Sequence, residues 1–222
     1  QANDKYALLL IFVMVLSVKA MNAVVDSYFI HIADLDKLPE GIPKIAWIAM
    51  GLQSNDYIEN GWYNSYNWNV YSSSNFDSAK ATSICLESIK ESVQSFIQAP
   101  ISAVRFFYKK FISQWNDPSF NSQIVVEWYS RHREDHSMLA KYLIYGEGRN
   151  ALESFMNWYH FLVLFGTCIF TGFHIRKRSL LLTLLPLCVL GGYFFHLIWE
   201  AKGRYGLGYF ILCVPMAAWG LS

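Results

Sequence analysis

The chain has 222 residues, of which 54% are hydrophobic, 17% aromatic and 16% charged. Soluble domains usually carry about 45–50% apolar and about 25% charged residues, so this composition excludes both an ordinary water-soluble domain and a disordered chain. The 18 Lys and Arg residues nearly balance the 17 Asp and Glu residues, and the net charge of +1 excludes the basic field typical of nucleic-acid binding. Because the chain starts at Gln1 without an initiator Met, we expect it to be part of a longer protein.

Four apolar stretches are long enough to be membrane spans, which need about 20 mostly apolar residues. A secretory signal peptide is the alternative for the first stretch, although no small-residue cleavage site follows it. Within that stretch Lys19, Asn22 and Asp26 share one helix face, which we expect to meet protein or a water-filled cavity rather than lipid. The four stretches cover about 6–30, 155–175, 179–199 and 205–221.

The sequence therefore predicts a mainly α-helical, polytopic membrane protein with about four transmembrane helices. A short basic link, Arg176–Arg178, joins the second and third stretches, and short positive loops stay on the cytoplasmic side. We therefore expect a multi-pass protein of the cell membrane whose long middle segment is extracytoplasmic. The predicted divisions are a first transmembrane helix (1–30), an extracytoplasmic, partly helical segment (31–154) and a three-helix transmembrane region (155–222) with an external turn at 200–204.

The first part of the external segment, 31–77, is rich in Gly, Asn, Ser, Trp and Tyr. It shows no helical period apart from a short helix predicted around 44–50. Aromatic rings on such a polar framework suit contact with carbohydrate or lipid headgroups. A structured loop packed on the membrane region is an equally compatible interpretation.

The period changes after residue 79, where apolar residues at three- and four-residue steps predict an amphipathic helix that ends near Gln98. Pro100 suits the first turn of a second helix, which extends to Trp115. Aromatic and basic residues along this second helix are typical of a helix lying in the membrane interface. They are Val104, Phe107, Tyr108, Phe111 and Trp115 on one side, with Arg105, Lys109 and Lys110 nearby.

A third helical pattern covers about 122–145 and carries His132 and His136 at i, i+4 spacing. Two histidines at this spacing can share a metal ion, but the sequence places no third ligand beside them. A solvated helix face is the alternative. The chain contains none of the common phosphate-loop, serine-hydrolase or HExxH motifs.

The predicted external turn, Glu200–Tyr205, concentrates charge between two apolar stretches. It would hold Lys202 and Arg204 at the outer interface, where the phosphate of a lipid lies. Arginine offers a bidentate fork to phosphate and lysine a point charge, and Glu200 could orient either. Ordinary snorkelling of basic side chains at helix ends is the alternative.

Four segments carry a resemblance to a known family: PKIAWIAMGLQ (43–53), ENGWYN (59–64), FFYKKFISQWNDPSF (106–120) and EAKGRY (200–205). Together they resemble the C-terminal part of bacterial GT-C-fold membrane glycosyltransferases of the dolichyl-phosphate-mannose-protein mannosyltransferase-like family. The resemblance implies a cell-envelope enzyme that moves a hexosyl or pentosyl group from a polyprenyl-phosphate sugar to an acceptor at the outer membrane face.

The resemblance also suggests roles for residues of this chain. Lys202 and Arg204 would bind the lipid-linked phosphate, with Glu200 and Tyr205 orienting them. The expected interface and cavity residues are Lys109, Lys110, Trp115, Trp62, Tyr63 and Asn64.

The catalytic base is less clear from the sequence. Asp34 and Asp36 follow the first apolar stretch and look like a catalytic carboxylate pair, but the motifs after them match the late region of the family. We therefore expect the base to lie in an N-terminal transmembrane portion outside these residues. The expected partners are that portion, the bilayer and a polyprenyl-phosphate-linked sugar, without nucleic acid. No cofactor is certain; a divalent metal stays open, although no ligand set in this segment supports it.

Two other classes of protein fit the sequence. A transporter or flippase subunit would also place charges such as Lys19 and Asp26 within spans, and would have helices broken by residues such as Pro186 and Pro215. A non-catalytic, membrane-anchored surface-binding protein would need only the aromatic segment and an anchor.

Overall fold

The computed structural model describes residues 2–130, 137–174 and 180–222. Within those ranges the chain is mainly α-helical and has no strands, which confirms the mainly α-helical part of the predicted fold class. The described residues form ten helices: α1 (Ala2–Ile32), α2 (Ile45–Gly51), α3 (Tyr66–Ser73), α4 (Ser78–Gln98), α5 (Pro100–Trp115), α6 (Ser122–Ser130), α7 (Met138–Leu143), α8 (Gly148–His174), α9 (Leu180–Ile198) and α10 (Gly203–Gly220).

One helix of the described residues is long and apolar enough to cross a membrane: α1, through Leu8–Ile32. Its side chains are exposed along almost the whole helix, including Lys19, Asn22 and Asp26, so the predicted protein or cavity contact of that polar face is not formed by the described residues. The apolar part of α9, Leu182–Ile198, is shorter. One apolar helix near the N-terminus is thus established, and the other three spans stay a prediction.

The boundaries of α4 and α5 follow from local chemistry. The carboxylate of Asp77 accepts hydrogen bonds from the backbone N–H groups of Ala79 and Lys80, which otherwise lack partners in the first turn of a helix. Pro100 occupies the first turn of α5, where its missing N–H costs nothing. Both predicted helices are confirmed, and they meet at Ala99 in a tight elbow.

The segment 31–77 contains more helix than the sequence predicts. The short helix expected around 44–50 is confirmed as α2, but α3 lies where no helical period was found. Its residues, YNWNVYSS, have weak helix propensity, and its N-cap Ser65 has φ 66° and makes no side-chain capping bond. Burial of Asn67 and Val70 against α2 and α4 forms this helix, so tertiary packing overrides a weak local preference.

Two apolar clusters hold the helices together. One joins α8, α9 and α10 through Phe170, Val189, Phe210 and Met216, and the other joins α2, α3 and α4 around Cys85. Helix α5 lies between them: the ring of Trp115 packs 4.2 Å from that of Tyr193 in α9 and 5.4 Å from that of Tyr209 in α10.

Helices α8 and α10 approach closely because small residues line their contact. A Cβ atom built on Gly166 would lie 2.9 Å from both the Cα and the carbonyl oxygen of Ala217. Nearby, the hydroxyl of Thr167 donates to the Cys213 carbonyl at 3.1 Å. Glycine at 166 therefore determines how near the two backbones can come.

We predict that Gly166→Ala lowers the free energy of unfolding by about 1–3 kcal/mol, because the new methyl group forces the two helices apart. Gly172→Ala in the same helix is the matched control: a Cβ there has nothing within 4 Å. That control is expected to stabilise the helix by up to about 1 kcal/mol. Thermal unfolding in detergent measures both, and equal melting temperatures for the two variants would contradict the close packing.

Candidate functional site

A buried lysine holds two helix ends together. Lys110 in α5 is 1% exposed, and its Nζ donates to the carbonyl oxygens of Gly51 at 2.5 Å, Leu197 at 3.0 Å and Trp199 at 2.8 Å. Gly51 is the last residue of α2, while Leu197 and Trp199 lie at the C-terminus of α9. The last carbonyls of a helix lack intrahelical partners and carry partial negative charge, so one ammonium group neutralises two such ends. We call this arrangement the lysine clasp.

Two glycines make room for the lysine clasp. Gly61 has φ +69°, and a Cβ on it would lie 2.6 Å from both Lys110 Cε and the carbonyl oxygen of Gly51. A Cβ on Gly51 itself would lie 2.6 Å from the backbone carbon of Trp199. Because no side chain fits at either position, glycine is required for this approach of the three segments.

The turn after α9 is attached to the lysine clasp by its backbone. The N–H of Ala201 donates to the carbonyl oxygen of Gly61 at 2.9 Å, and Ala201 is fully buried. The indole of Trp199 also stacks on that of Trp47 in α2, with ring centroids 6.2 Å apart. This hydrogen bond and this ring contact fix the position of the turn relative to α2 and α5.

Glu200 and Arg204 are linked through one tyrosine. The carboxylate of Glu200, buried at 3% exposure, accepts a hydrogen bond from the hydroxyl of Tyr205 at 3.0 Å. The guanidinium of Arg204 donates to the same hydroxyl at 3.3 Å and lies 5.2 Å from the centre of the tyrosine ring. Arg204 itself is exposed, so its remaining N–H groups are available at the surface.

Lys202 lies over an aromatic ring on the other side of the turn. Its Nζ is 5.6 Å from the ring of Trp62, a cation–π contact. The indole N–H of Trp62 donates to the hydroxyl of Ser113 in α5 at 3.0 Å, which determines the plane of the ring. The aromatic residue at 62 thus orients a cation of the turn.

The start of α10 is held by the loop that follows α5. Asp117 accepts hydrogen bonds from the backbone N–H groups of Ser119 and Asn121, and the Asn121 side-chain oxygen accepts the N–H of Arg204 at 3.1 Å. A Cβ on Gly203 would lie 2.7 Å from that same oxygen. The loop 116–121 (NDPSFN) and the turn therefore pack directly against each other.

Burial and neighbouring charges shift the pKa values of Lys110 and Glu200 in opposite directions. Burial lowers the pKa of Lys110 to about 7, while the negative charge of Glu200 acts to raise it. Burial also raises the pKa of Glu200, opposed first by the hydrogen bond from Tyr205 and then by the nearby cations. The pKa of Lys202 is lowered by partial burial and by repulsion from Arg204. Lys110 consequently titrates near neutral pH.

The structure brings five of the predicted site residues together. Glu200, Lys202, Arg204 and Tyr205 form one cluster, and Trp62 belongs to it. Lys109 is exposed on α5, as expected for an interface residue, and Tyr63 is also exposed.

One expectation needs correction, and two other predicted residues make internal contacts. Lys110 does not line the interface, because its ammonium group points inward to helix carbonyls. Trp115 is partly buried, packs against Tyr193 and Tyr209 and lines a small cavity with them. Asn64 makes a structural contact, donating to the side-chain oxygen of Gln53 at 3.0 Å.

Other candidates lie apart from this cluster or outside the described residues. Asp34 and Asp36 are exposed just after α1, and no hydrogen bond from a described residue reaches their side chains. Among the described residues no group of three His, Cys, Asp or Glu could hold a metal ion. His132, His136 and the basic link Arg176–Arg178 fall outside those residues.

Sequence reasoning missed the residues that hold the cluster rather than those that face outward. Gly51, Gly61, Ser113 and Asn121 were not singled out, although the first three lie inside the segments that carry the family resemblance. The signal available in the sequence was the presence of two glycines, Gly51 and Gly61, in a segment rich in aromatic residues. No protein-family model, curated protein or solved structure matches the chain.

We predict that Lys110→Met lowers the free energy of unfolding by about 2–4 kcal/mol at pH 8, because buried carbonyls at two helix ends lose their donor. Lys109→Met is the matched control, since that neighbouring side chain is exposed. Thermal unfolding in detergent measures the difference. Equal stability of the two variants would show that the lysine clasp contributes nothing.

The lowered pKa of Lys110 predicts a pH dependence. A lysine in the unfolded chain keeps its proton up to about pH 10.4, whereas Lys110 in the folded protein releases it around pH 7. Between these values the unfolded state binds more protons, so stability rises with pH, by at most about 1.4 kcal/mol per unit. Melting temperatures from pH 7 to 9.5 should therefore rise more steeply for the natural protein than for Lys110→Met. Identical pH slopes would contradict this assignment.

Proposed function

We propose that this chain is the lipid-phosphate-binding portion of a membrane glycosyltransferase that uses a polyprenyl-phosphate sugar. The observation that carries the proposal is the turn after α9. In this turn Tyr205 and the buried Glu200 hold the exposed Arg204, while the ring of Trp62 holds the half-buried Lys202. Two positioned cations in one short turn form a suitable receptor for a phosphate.

A cavity lined by α8 and α9 supports a lipid-linked donor. It has a volume of about 540 Å³ and is lined mostly by apolar side chains of α8 and α9, including Leu164, Leu187 and Leu190. Tyr193 lines the same cavity and contacts Trp115, which neighbours His196. Since His196 stacks on Tyr205 with ring centroids 5.6 Å apart, aromatic contacts connect the cavity to the cationic turn. An isoprenoid chain would fit such an apolar cavity while its phosphate stays at the turn.

The proposed reaction is displacement at the anomeric carbon of the donor sugar. The oxygen of an acceptor hydroxyl forms the new bond to that carbon and gives its proton to a base. The bond between the carbon and the phosphate oxygen breaks, and the lipid phosphate leaves with the electron pair. Lys202 and Arg204 would stabilise the negative charge that develops on this leaving group.

The topology that goes with this proposal has α8, α9 and α10 as further membrane spans and residues 31–154 on the outer face. The cationic turn would then lie at the outer interface. We place the catalytic base outside the cluster, because among the described residues no hydrogen bond or ion pair links Asp34 or Asp36 to it, and Glu200 is engaged by Tyr205.

The transporter alternative has less support than the transferase. The transporter alternative predicts helices that are broken at Pro186 and Pro215, but α9 continues through Pro186 and α10 through Pro215. Transporter sites usually use the free backbone groups of interrupted helices.

The test is sugar transfer in membranes that contain the full-length protein, with labelled polyprenyl-phosphate sugars supplied as a panel. We expect Arg204→Ala to lower transfer about 10²–10³-fold by removing a transition-state contact, with membrane insertion unchanged. Arg204→Lys should recover only part of the loss, because the ammonium group keeps the charge but not the bidentate fork.

Lys90→Ala is the control, since Lys90 is an exposed cation paired with Glu87 at 3.2 Å, on α4. It should leave transfer unchanged. Transfer by Arg204→Ala at the natural rate would overturn the phosphate assignment. Movement of the labelled lipid across the membrane without covalent transfer to any acceptor would favour the flippase instead.

A further inference from the structure

Four large apolar side chains project from the elbow between α4 and α5. Ile97 is 74% exposed, Ile101 79%, Val104 71% and Tyr108 64%. We call these four the elbow ridge. On α5 its members follow steps of three and four residues, so they lie along one helix face.

The elbow ridge does not belong to the face of α5 that packs in the protein core. The opposite face of α5 is already packed, with Phe106, Lys110 and Gln114 all buried. The helix therefore has an inner face that contains a lysine and a glutamine and an outer face that is apolar. This is the reverse of a helix that borders water, which directs its apolar side inward.

The elbow is held rigid by aromatic packing on its inner side. The ring of Phe96 in α4 lies 5.1 Å from that of Phe106 and 5.2 Å from that of Phe107. Pro100 restricts the backbone at the corner. The elbow ridge is therefore a fixed apolar edge, and the helices do not need to rearrange to expose it.

Two cations flank the elbow ridge. Arg105 and Lys109 are exposed on α5 next to Val104 and Tyr108. Within the described residues neither is in an ion pair with a carboxylate, whereas Lys80 and Lys90 on α4 are paired with Asp77 and Glu87. Unpaired cations beside an apolar edge complement the anionic headgroups and acyl chains of a bilayer.

We propose that the elbow ridge inserts into the headgroup and upper acyl region of an anionic membrane, with Arg105 and Lys109 bound to lipid phosphates. A second copy of the chain fits this surface less well. A two-fold contact through the elbow ridge would bring the same cations of both copies close together, and they would repel. This membrane contact does not depend on the transferase proposal.

The test measures membrane depth in proteoliposomes that contain the full chain. A fluorophore is attached to Ile101→Cys in a background where the exposed Cys168 and Cys188 are replaced by Ser; Cys85 and Cys213 are buried. Lipids with a nitroxide near the top of the acyl chain quench a fluorophore that reaches them. Glu91→Cys is the matched control, because Glu91 is exposed on the polar side of α4.

We expect at least about twofold stronger quenching at residue 101 than at residue 91 in vesicles containing phosphatidylglycerol. In zwitterionic vesicles, or after replacing both Arg105 and Lys109 by Gln, quenching at residue 101 should fall. Equal quenching at residues 101 and 91 would overturn the proposal. Energy transfer between labelled copies, with no lipid quenching at residue 101, would overturn it in favour of self-association.

Discussion

The whole arrangement depends on one buried ammonium group. Lys110 reaches carbonyls that are 59 and 89 residues away in the chain, at the C-terminal ends of two different helices. Moving a charge out of water is costly, and only full hydrogen bonding offsets that cost. The lysine clasp offsets part of this cost with three carbonyl acceptors and the nearby negative charge of Glu200, although burial still lowers the pKa of Lys110. It therefore permits one relative placement of α2, α5 and α9.

The placement made by the lysine clasp determines which side chains of the following turn face outward. Ala201 is drawn inward by its hydrogen bond to Gly61, and Glu200 is buried beside it. Lys202 and Arg204 consequently lie on the opposite side, each against an aromatic ring. Cations held in this way lose little conformational freedom when they bind an anion, which is the advantage of preorganisation. The buried Lys110 and the cations of the turn, of which Arg204 is exposed and Lys202 half-buried, thus have separate tasks.

Helix α5 has one face in the protein interior and the other face exposed at the surface. One side of it carries the lysine clasp and packs against α4, α9 and α10, and the other side carries the elbow ridge. Such a helix is unsuited to water on its outer face, and α1 is likewise apolar and exposed. These exposed apolar surfaces account for a composition that is too rich in apolar residues for the buried core alone.

The sequence by itself determined the helical class, the elbow at Pro100 and the charged turn at 200–205, because caps, hydrophobic periods and chain neighbours are local features. Only the tertiary structure decided that Lys110 is buried while its neighbour Lys109 is exposed. The two residues are of the same type and adjacent in sequence, and the helix directs them to different sides. Helix α3 escaped sequence reasoning for a related reason: its stability comes from packing by Asn67 and Val70, not from its own residues. The partners that matter in both cases are distant in the chain, so no local pattern could reveal them.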